Sequence, residues 1–300
     1  MRILIFGAGA IGGVIGAMLS KENEVHMLVR PKHAEAINEK GLRVTGLHPG
    51  LYQLVAHDDL SDVPQPDIIL VTVKAYSTQD ALQAVSNFVP KAKALVALQN
   101  GLTVLRDFFP LPHKKAIIGI TNLGAGFTDP GEVFFAGEGE TYFGSLGKER
   151  ETPEGLVDLF SKSGLKAKVS PDISADVWLK SIVNAAVNPI TALLRCPNGA
   201  IARYPGLLQI TKMVCAEGTA VAKAYEVELP VTDVFAWTKE IIDKTYQNQS
   251  SMLQDINRHK QTEIDQINGE LVLRAETLEM DVPTIRTLWR LVKALEQGPF

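Results

Sequence analysis

The stretch that begins at Arg2 limits the possible folds more than any other part of the chain. Arg2–Phe6 is a short apolar run that leads directly into Gly7-Ala8-Gly9-Ala10-Ile11-Gly12 and then into helix-forming residues 14–19. Strand, tight turn and helix follow one another in that order. The G-x-G-x-x-G spacing serves a sharp turn, close approach of backbone to a pyrophosphate, and close helix-to-sheet packing, with the phosphate at the helix N-terminus. A glycine-rich βα turn without a ligand would use the same letters, but here the strand before and the helix after supply the required context. The spacing therefore predicts a doubly wound domain and assigns Gly7, Ala8, Gly9, Ala10, Ile11 and Gly12 to a dinucleotide.

The next apolar run, residues 25–29, ends in Arg30, near where an NAD enzyme places an acidic residue for the ribose 2′-hydroxyl. An arginine suits a 2′-phosphate instead, through a charge-assisted contact of about 1.5–3 kcal/mol, and Lys32 adds to the field. The expected cofactor is NADPH; the alternative is that Arg30 is a solvated residue at a strand end.

At 300 residues the chain has room for two domains of ordinary size. Its 46% hydrophobic and 21% charged residues are those of a globular protein, and a net charge of −4 gives no footprint for nucleic acid. Cys196 and Cys215 are too few for a disulfide framework, and the early glycines interrupt any signal-peptide core, so the expected location is cytoplasmic. No uninterrupted apolar run approaches the ~20 residues of a membrane helix, so no membrane partner is expected. The six histidines are scattered without metal-ligand spacing, so no metal is assigned.

Further strands are expected at residues 67–73, 94–98 and 116–120, with helix-like segments such as residues 77–89 between them. Nearly continuous apolar strands alternating with helices make a parallel sheet covered on both faces. After Thr121 the texture changes. Asp129-Pro130-Gly131 reads as a turn joining strands at 122–128 and 132–136, with another strand at 141–146, so antiparallel strands are expected to be appended. From Ser170 onward the pattern is helical almost to the end, broken at Pro189, at Cys196-Pro197-Asn198-Gly199, at Tyr204-Pro205-Gly206, and at Pro230 and Pro283. The expected fold is α/β: an N-terminal Rossmann-like doubly wound domain with appended antiparallel strands, residues 1–170, followed by an all-α C-terminal domain, residues 171–300.

Within that second half, Lys180, Asn184 and Asn188 recur every four residues among aliphatic neighbours, which puts all three on one helix face. Each buried polar group left unpaired costs about 1–3 kcal/mol, so something must sit against that face. Neighbouring helices are the plain alternative to a ligand. Pro189 should kink or end the helix there, because proline removes a backbone donor and biases the residue before it away from helical geometry. Lys74 and Asn100 directly follow two expected strands, where ligands of open α/β sheets bind. A solvated lysine and an Asn100-Gly101 turn are the alternatives for these two.

Taken together, Gly7–Gly12, Val73-Lys74-Ala75, Gln99-Asn100-Gly101, the Lys180/Asn184/Asn188-Pro189 series, Cys196-Pro197-Asn198-Gly199, residues 250–255 and Thr262-Glu263-Ile264-Asp265-Gln266-Ile267-Asn268-Gly269 resemble the ketopantoate reductase (2-dehydropantoate 2-reductase) family. The resemblance runs from residue 1 into the final helices, and its second-half motifs are the more specific. It implies a Rossmann domain followed by a helical one, with NADPH and substrate in the cleft between them. The implied reaction is hydride transfer from NADPH to the keto carbon of 2-dehydropantoate, giving pantoate for pantothenate and coenzyme A biosynthesis. By the same resemblance Lys180 is the proton donor; Asn184, Asn188, Asn198 and Ser251 contact substrate; Glu263 serves the active site and cofactor; and Lys74 and Asn100 lie near the nicotinamide. Asn100, from its place at a strand end, is also expected to face substrate, and Gly124 is small enough for close approach of the cofactor.

These roles are chemically coherent. Hydride arriving at a ketone leaves negative charge on oxygen, which an ammonium can stabilise and protonate, and a positioned acid contributes about 10²–10⁴-fold. Asparagine amides offer neutral donors and acceptors to a hydroxyl and a carboxylate. Glu263 would keep Lys180 charged against the effect of burial. Taken alone, Glu263 reads as an exposed helix residue and Ser251 as a helix cap beside Ser250. The chain departs from the family at Tyr76-Ser77-Thr78-Gln79, where members often carry a glutamine nearer the lysine, and at Leu123, where some carry a polar side chain. Two rival readings share most of these residues: a reductase of another branched 2-keto acid, and an NADPH-binding regulator without turnover. A homodimer is compatible with the sequence but not specified by it.

Overall fold

The computed structural model describes residues 1–298 and divides into two compact units, Met1–Gln99 with Val104–Ile173, and Asn100–Thr103 with the chain from Ser174 onward. Residues 100–103 thus belong with the second half, which a division at 170/171 does not anticipate.

The first unit is built on strands β1 (Arg2–Phe6), β2 (Glu24–Leu28), β3 (Leu42–Gly46), β4 (Gly50–Tyr52), β5 (Val55–His57), β6 (Ile68–Val71), β7 (Ala94–Ala97), β8 (Ala116–Thr121), β9 (Gly124–Asp129), β10 (Glu132–Gly137), β11 (Thr141–Ser145) and β12 (Ala167–Val169). Eight of them form one sheet in the order β12-β11-β8-β7-β6-β1-β2-β5. From β5 to β8 every neighbouring pair is parallel. β6 and β7 are buried along their whole length, as strands covered on both faces must be. The chain order reverses between β1 and β6, so the ends of these two strands, Gly7 and Thr72-Val73-Lys74, flank the switch point where a parallel sheet opens a crevice.

The hairpin around Asp129-Pro130-Gly131 forms as expected, with β9 antiparallel to β10. It does not extend the main sheet. Strands β9 and β10 join β3 and β4 in a separate four-stranded sheet, where β10 runs parallel to β3. Only β11 adds to the main sheet in the antiparallel sense, against β8.

This second sheet explains the composition of helix α1 (Ala10–Leu19), which is buried from Gly12 to its end. A side chain at Gly12 would strike Thr72 and Ile5, and one at Gly16 would strike Met27, all in the first unit's main-sheet region. On the other side, a Cβ at Gly13 would stand 2.7 Å from Val133 of β10. With sheets on both sides, α1 carries no polar stripe. Helices α2 (Pro31–Lys40), α3 (Thr78–Val85), α4 (Thr103–Phe108) and α5 (Glu151–Lys162) are the other helices described in this half of the chain.

The second unit is helical: α6 (Ile173–Leu194), α7 (Ala200–Arg203), α8 (Pro205–Ala224), α9 (Val234–Lys244), α10 (Ser251–Asn257), α11 (Glu270–Thr277) and α12 (Pro283–Glu296), with a π-helical stretch at Asp265–Gly269. By length and hydropathy α6 matches a membrane-crossing helix, yet 78% of its most apolar window is buried inside the protein, where Trp178 and Ile182 belong to the core. Proline opens α8 and α12 at their first turns, where its missing N–H costs nothing.

The break expected at Pro189 does not occur. Helix α6 continues through Pro189 to Leu194. A proline at 189 leaves the carbonyl of Ala185, four residues back, without its backbone donor. The side-chain amide of Asn268 donates to that carbonyl at 3.3 Å. A donor 83 residues away in sequence thus offsets the loss that would otherwise end the helix.

Candidate active site

At the end of β1 the backbone turns sharply. Gly7 has φ +89, its N–H donates to the Leu28 carbonyl at 3.0 Å, and a Cβ there would run into the Val73 side chain and within 2.9 Å of the Val73 nitrogen. The Gly9 N–H folds back onto the Gly7 carbonyl at 2.7 Å, and Gly9 then caps α1 with no side-chain hydrogen bond to the first turn. The first amides of α1 therefore keep the partial positive charge of an uncapped helix start. Gly9 is exposed, and the nearest atom to the place of its Cβ is 4.0 Å away, which leaves open the backbone face that a pyrophosphate requires. The Gly7 and Gly9 amides are used within the turn, so Gly7, Ala8 and Gly9 shape it while the first-turn amides of Ala10, Ile11 and Gly12 point the helix start outward, an arrangement that fits a dinucleotide.

Around this turn, Arg30 is the exposed N-cap residue of α2 just beyond β2, and Lys32 is exposed within the first turn of that helix. Lys74 caps the single 3₁₀ turn that follows β6 and is half-buried. Gly124 opens β9, and its small size is demanded by its cross-strand neighbour, since a Cβ there would lie 3.1 Å from the Gly137 nitrogen.

The second unit holds the titratable centre. Lys180 and Asn184 are half-buried on α6 and Asn188 is buried, and the chain neighbours of each, Leu179 and Ser181, Val183 and Ala185, Val187 and Pro189, are buried. Loss of hydration pushes the pKa of the Lys180 ammonium down to about 8, and the carboxylate of Glu263 acts in the opposite direction. Glu263 is itself buried, and the amide of Asn100 donates to its Oε2 at 3.3 Å. The structure therefore gathers Lys180, Glu263 and Asn100 about one centre.

Asn100 reaches this place because residues 100–103 pack on the π-helical stretch. The Leu102 N–H donates to the Gln266 carbonyl at 3.1 Å, and Gly101, at φ +93, leaves no room for a Cβ against the Gln266 backbone. The stretch is fixed from the other side by Asp265, whose carboxylate accepts from Trp289 Nε1 at 2.7 Å and Lys293 Nζ at 2.9 Å.

Asn198 is buried. Its Nδ2 donates to Thr245 Oγ1 at 2.9 Å, while its Oδ1 has no hydrogen-bond partner among the described residues. An unsatisfied buried amide oxygen next to a loop is a place for a ligand donor. The two serines divide their tasks. Ser250 caps α10 by accepting from Leu253 N–H at 3.1 Å and receives the Thr191 hydroxyl at 2.7 Å, whereas Ser251 is the exposed first residue of the helix.

Two residues with structural consequences for these sites received no role from the sequence. Asn268 had only its place in a motif to mark it. His33 accepts from the Gly131 N–H through Nδ1 at 2.8 Å, so its other nitrogen carries the proton. Burial pushes its pKa down, opposed by the Ala8 backbone of the glycine turn. No sequence spacing could have linked His33 to a turn 98 residues away.

Comparison with known proteins bears on the same two halves. Sequence models of the families described as Ketopantoate reductase PanE/ApbA and Ketopantoate reductase PanE/ApbA C terminal match residues 3–148 and 172–296. A curated 2-dehydropantoate 2-reductase from Pyrococcus horikoshii is 38% identical over 298 residues, covering 99% of this chain and 98% of that protein. The crystal structure of a ketopantoate reductase from Ralstonia eutropha superposes with a TM-score of 0.89 at 31% identity over 99% of both chains. A D-mandelate dehydrogenase solved with NADH and anilino(oxo)acetate superposes at 0.92, with 29% identity over 99% of both chains. Because the family models account for both halves and the identity to the Pyrococcus horikoshii protein extends nearly end to end, the chain belongs to the ketopantoate reductase family.

Proposed function

We propose that this protein is an NADPH-dependent reductase of 2-dehydropantoate, with the first unit as the cofactor domain and the second as the substrate and catalytic domain. The observation that carries the reading is the half-buried Lys180, whose pKa loss of hydration lowers to about 8, under the opposing influence of a buried Glu263 that accepts from Asn100. Such a lysine is charged at neutral pH yet gives up its proton readily, which is what a donor to a developing alkoxide needs.

When bound, NADPH supplies a hydride. The glycine turn at residues 7–12 and the uncapped start of α1 would hold its pyrophosphate, and Arg30, assisted by Lys32, its 2′-phosphate. Lys74, Asn100, Gly124 and Glu263 complete the proposed cofactor set. Asn184, Asn188, Asn198 and Ser251 orient the substrate, Asn198 through the Oδ1 that lacks a partner among the described residues. Asn100 steadies Glu263 and so the charge on Lys180. Lys180 then stabilises the forming oxyanion and delivers its proton to it.

A second reading, reduction of a different branched 2-keto acid, is supported by the close likeness to D-mandelate dehydrogenase, whose structure carries NADH. The same fold and donor would serve both, and the pocket walls decide between them. The test is steady-state oxidation of NADPH and of NADH with a panel of 2-keto acids that includes 2-dehydropantoate. The proposal expects the highest kcat/KM for 2-dehydropantoate with NADPH. A higher value for another keto acid moves the substrate, a preference for NADH removes Arg30 from its role, and binding without turnover contradicts an enzyme.

A further inference from the structure

The amide of Asn268 stands where a helix would normally supply its own backbone donor. Proline inside a helix has no N–H, and its ring presses on the carbonyl four residues back. In α6 that carbonyl belongs to Ala185, which lies between Asn184 and Asn188, and Asn268 Nδ2 donates to it at 3.3 Å. Asn268 is fully buried, and its Oδ1 has no partner among the described residues. The bond to Ala185 is therefore the only polar contact this side chain makes among them, and a buried amide retained for one contact points to a specific task.

Asn268 lies in the π-helical stretch Asp265–Gly269, which begins two residues after Glu263, and Asp265 anchors that stretch to Trp289 and Lys293. π-helical turns inside helical segments are frequent at functional sites. One short segment thus carries both the carboxylate that acts on Lys180 and the amide that grips the α6 turn bearing the two asparagines.

We propose that Asn268 is a positioning residue for substrate binding, fixing Asn184 and Asn188 in register with Lys180 and Glu263. The proposal rests on the assignment of Asn184 and Asn188 to substrate. It makes the Pro189 and Asn268 pair a single device: the proline frees a carbonyl in α6, and the asparagine ties that carbonyl to the catalytic segment. A backbone N–H at position 189 would serve the Ala185 carbonyl equally well, so the pair can be tested by exchanging one donor for the other.

The experiment compares Asn188→Ala, Asn268→Ala, Pro189→Ala and the double variant Asn268→Ala/Pro189→Ala for KM, kcat and NADPH Kd, with 2-dehydropantoate as substrate. Asn268→Ala is expected to raise KM about tenfold while NADPH Kd stays within about twofold. In the double variant the residue that replaces Pro189 supplies a backbone N–H to the Ala185 carbonyl, so its KM is expected within about threefold of that of Pro189→Ala. An unchanged KM in Asn268→Ala beside a raised one in Asn188→Ala overturns the positioning role alone. An unchanged KM in Asn188→Ala contradicts the substrate assignment itself. Should Asn268→Ala not fold, the double variant still decides: a KM about tenfold above that of Pro189→Ala, or failure to fold, overturns the proposal because the restored N–H would not replace the amide.

Discussion

Exchanging Glu263 for glutamine should move the alkaline limb of the pH profile to lower pH, and the partly desolvated charge on Lys180 is the reason. With its pKa pushed down to about 8, Lys180 is about 90% protonated at pH 7 and about 10% protonated at pH 9. Only the protonated form can donate, so kcat/KM in the wild-type protein should be near its plateau at pH 7 and about tenfold lower at pH 9. Burial lowers the pKa and Glu263 raises it, so removing the carboxylate leaves burial unopposed. Glutamine keeps an oxygen that can accept from the Asn100 amide, which at present donates to Glu263 Oε2 at 3.3 Å, so the exchange removes the charge while keeping that acceptor. The assay is initial-rate oxidation of NADPH with 2-dehydropantoate at half-unit intervals from pH 6 to 9.5. Glu263→Gln should lose more at pH 8 than at pH 6. A limb that stays in place or moves to higher pH would refute the electrostatic link, and a wild-type profile flat to pH 9.5 would refute the role of Lys180.

The remaining predictions concern charge elsewhere and its cost. Lys180 has its pKa depressed in the folded protein, so its charge destabilises the fold; the penalty is full below pH 8 and fades as pH rises towards 10.5. Lys180→Met should therefore be more stable than wild type at pH 7, by up to about 3 kcal/mol, with the advantage shrinking at pH 10; urea unfolding at both values checks this. Arg30→Ala should raise the Kd for NADPH by about tenfold while changing that for NADH little, as measured by fluorescence titration. Equal losses for both nucleotides would mean that Arg30 does not read the 2′-phosphate.

How much of this was legible in the sequence depended on the range of the interactions involved. The central strands were readable because Ile3-Leu4-Ile5 and residues 68–71 are buried on both faces and need only local apolar runs. Strands β3, β4, β5 and β12 were not anticipated, being short and half-polar; Leu42 and Val44 alternate with Arg43 and Thr45, a weak signal over so few residues. The second sheet depends on β10 pairing with β3, nearly ninety residues earlier, which no local pattern records. Its presence was nonetheless written into α1, whose glycines fit two walls rather than one.

The site divides the same way. Lys180, Asn184 and Asn188 were legible from their spacing, because helical periodicity alone places them on one face. The meeting of Asn100 with Glu263 spans 163 residues and follows from tertiary packing. Pro189 misled for a related reason: local rules count the donor it lacks, and they cannot count the one that Asn268 brings from 83 residues away. Ser250 and Ser251 were adjacent candidates for cap and ligand, and the hydrogen bond to Leu253 N–H gives the cap to Ser250.

The central claim is that Lys180 delivers the proton to the reduced keto oxygen, and the most direct measurement is the turnover of Lys180→Ala beside its affinity for NADPH. The account predicts that kcat with 2-dehydropantoate falls by about 10²–10⁴-fold while NADPH binds with an affinity close to wild type. A kcat near that of the wild-type protein at pH 7 would contradict it.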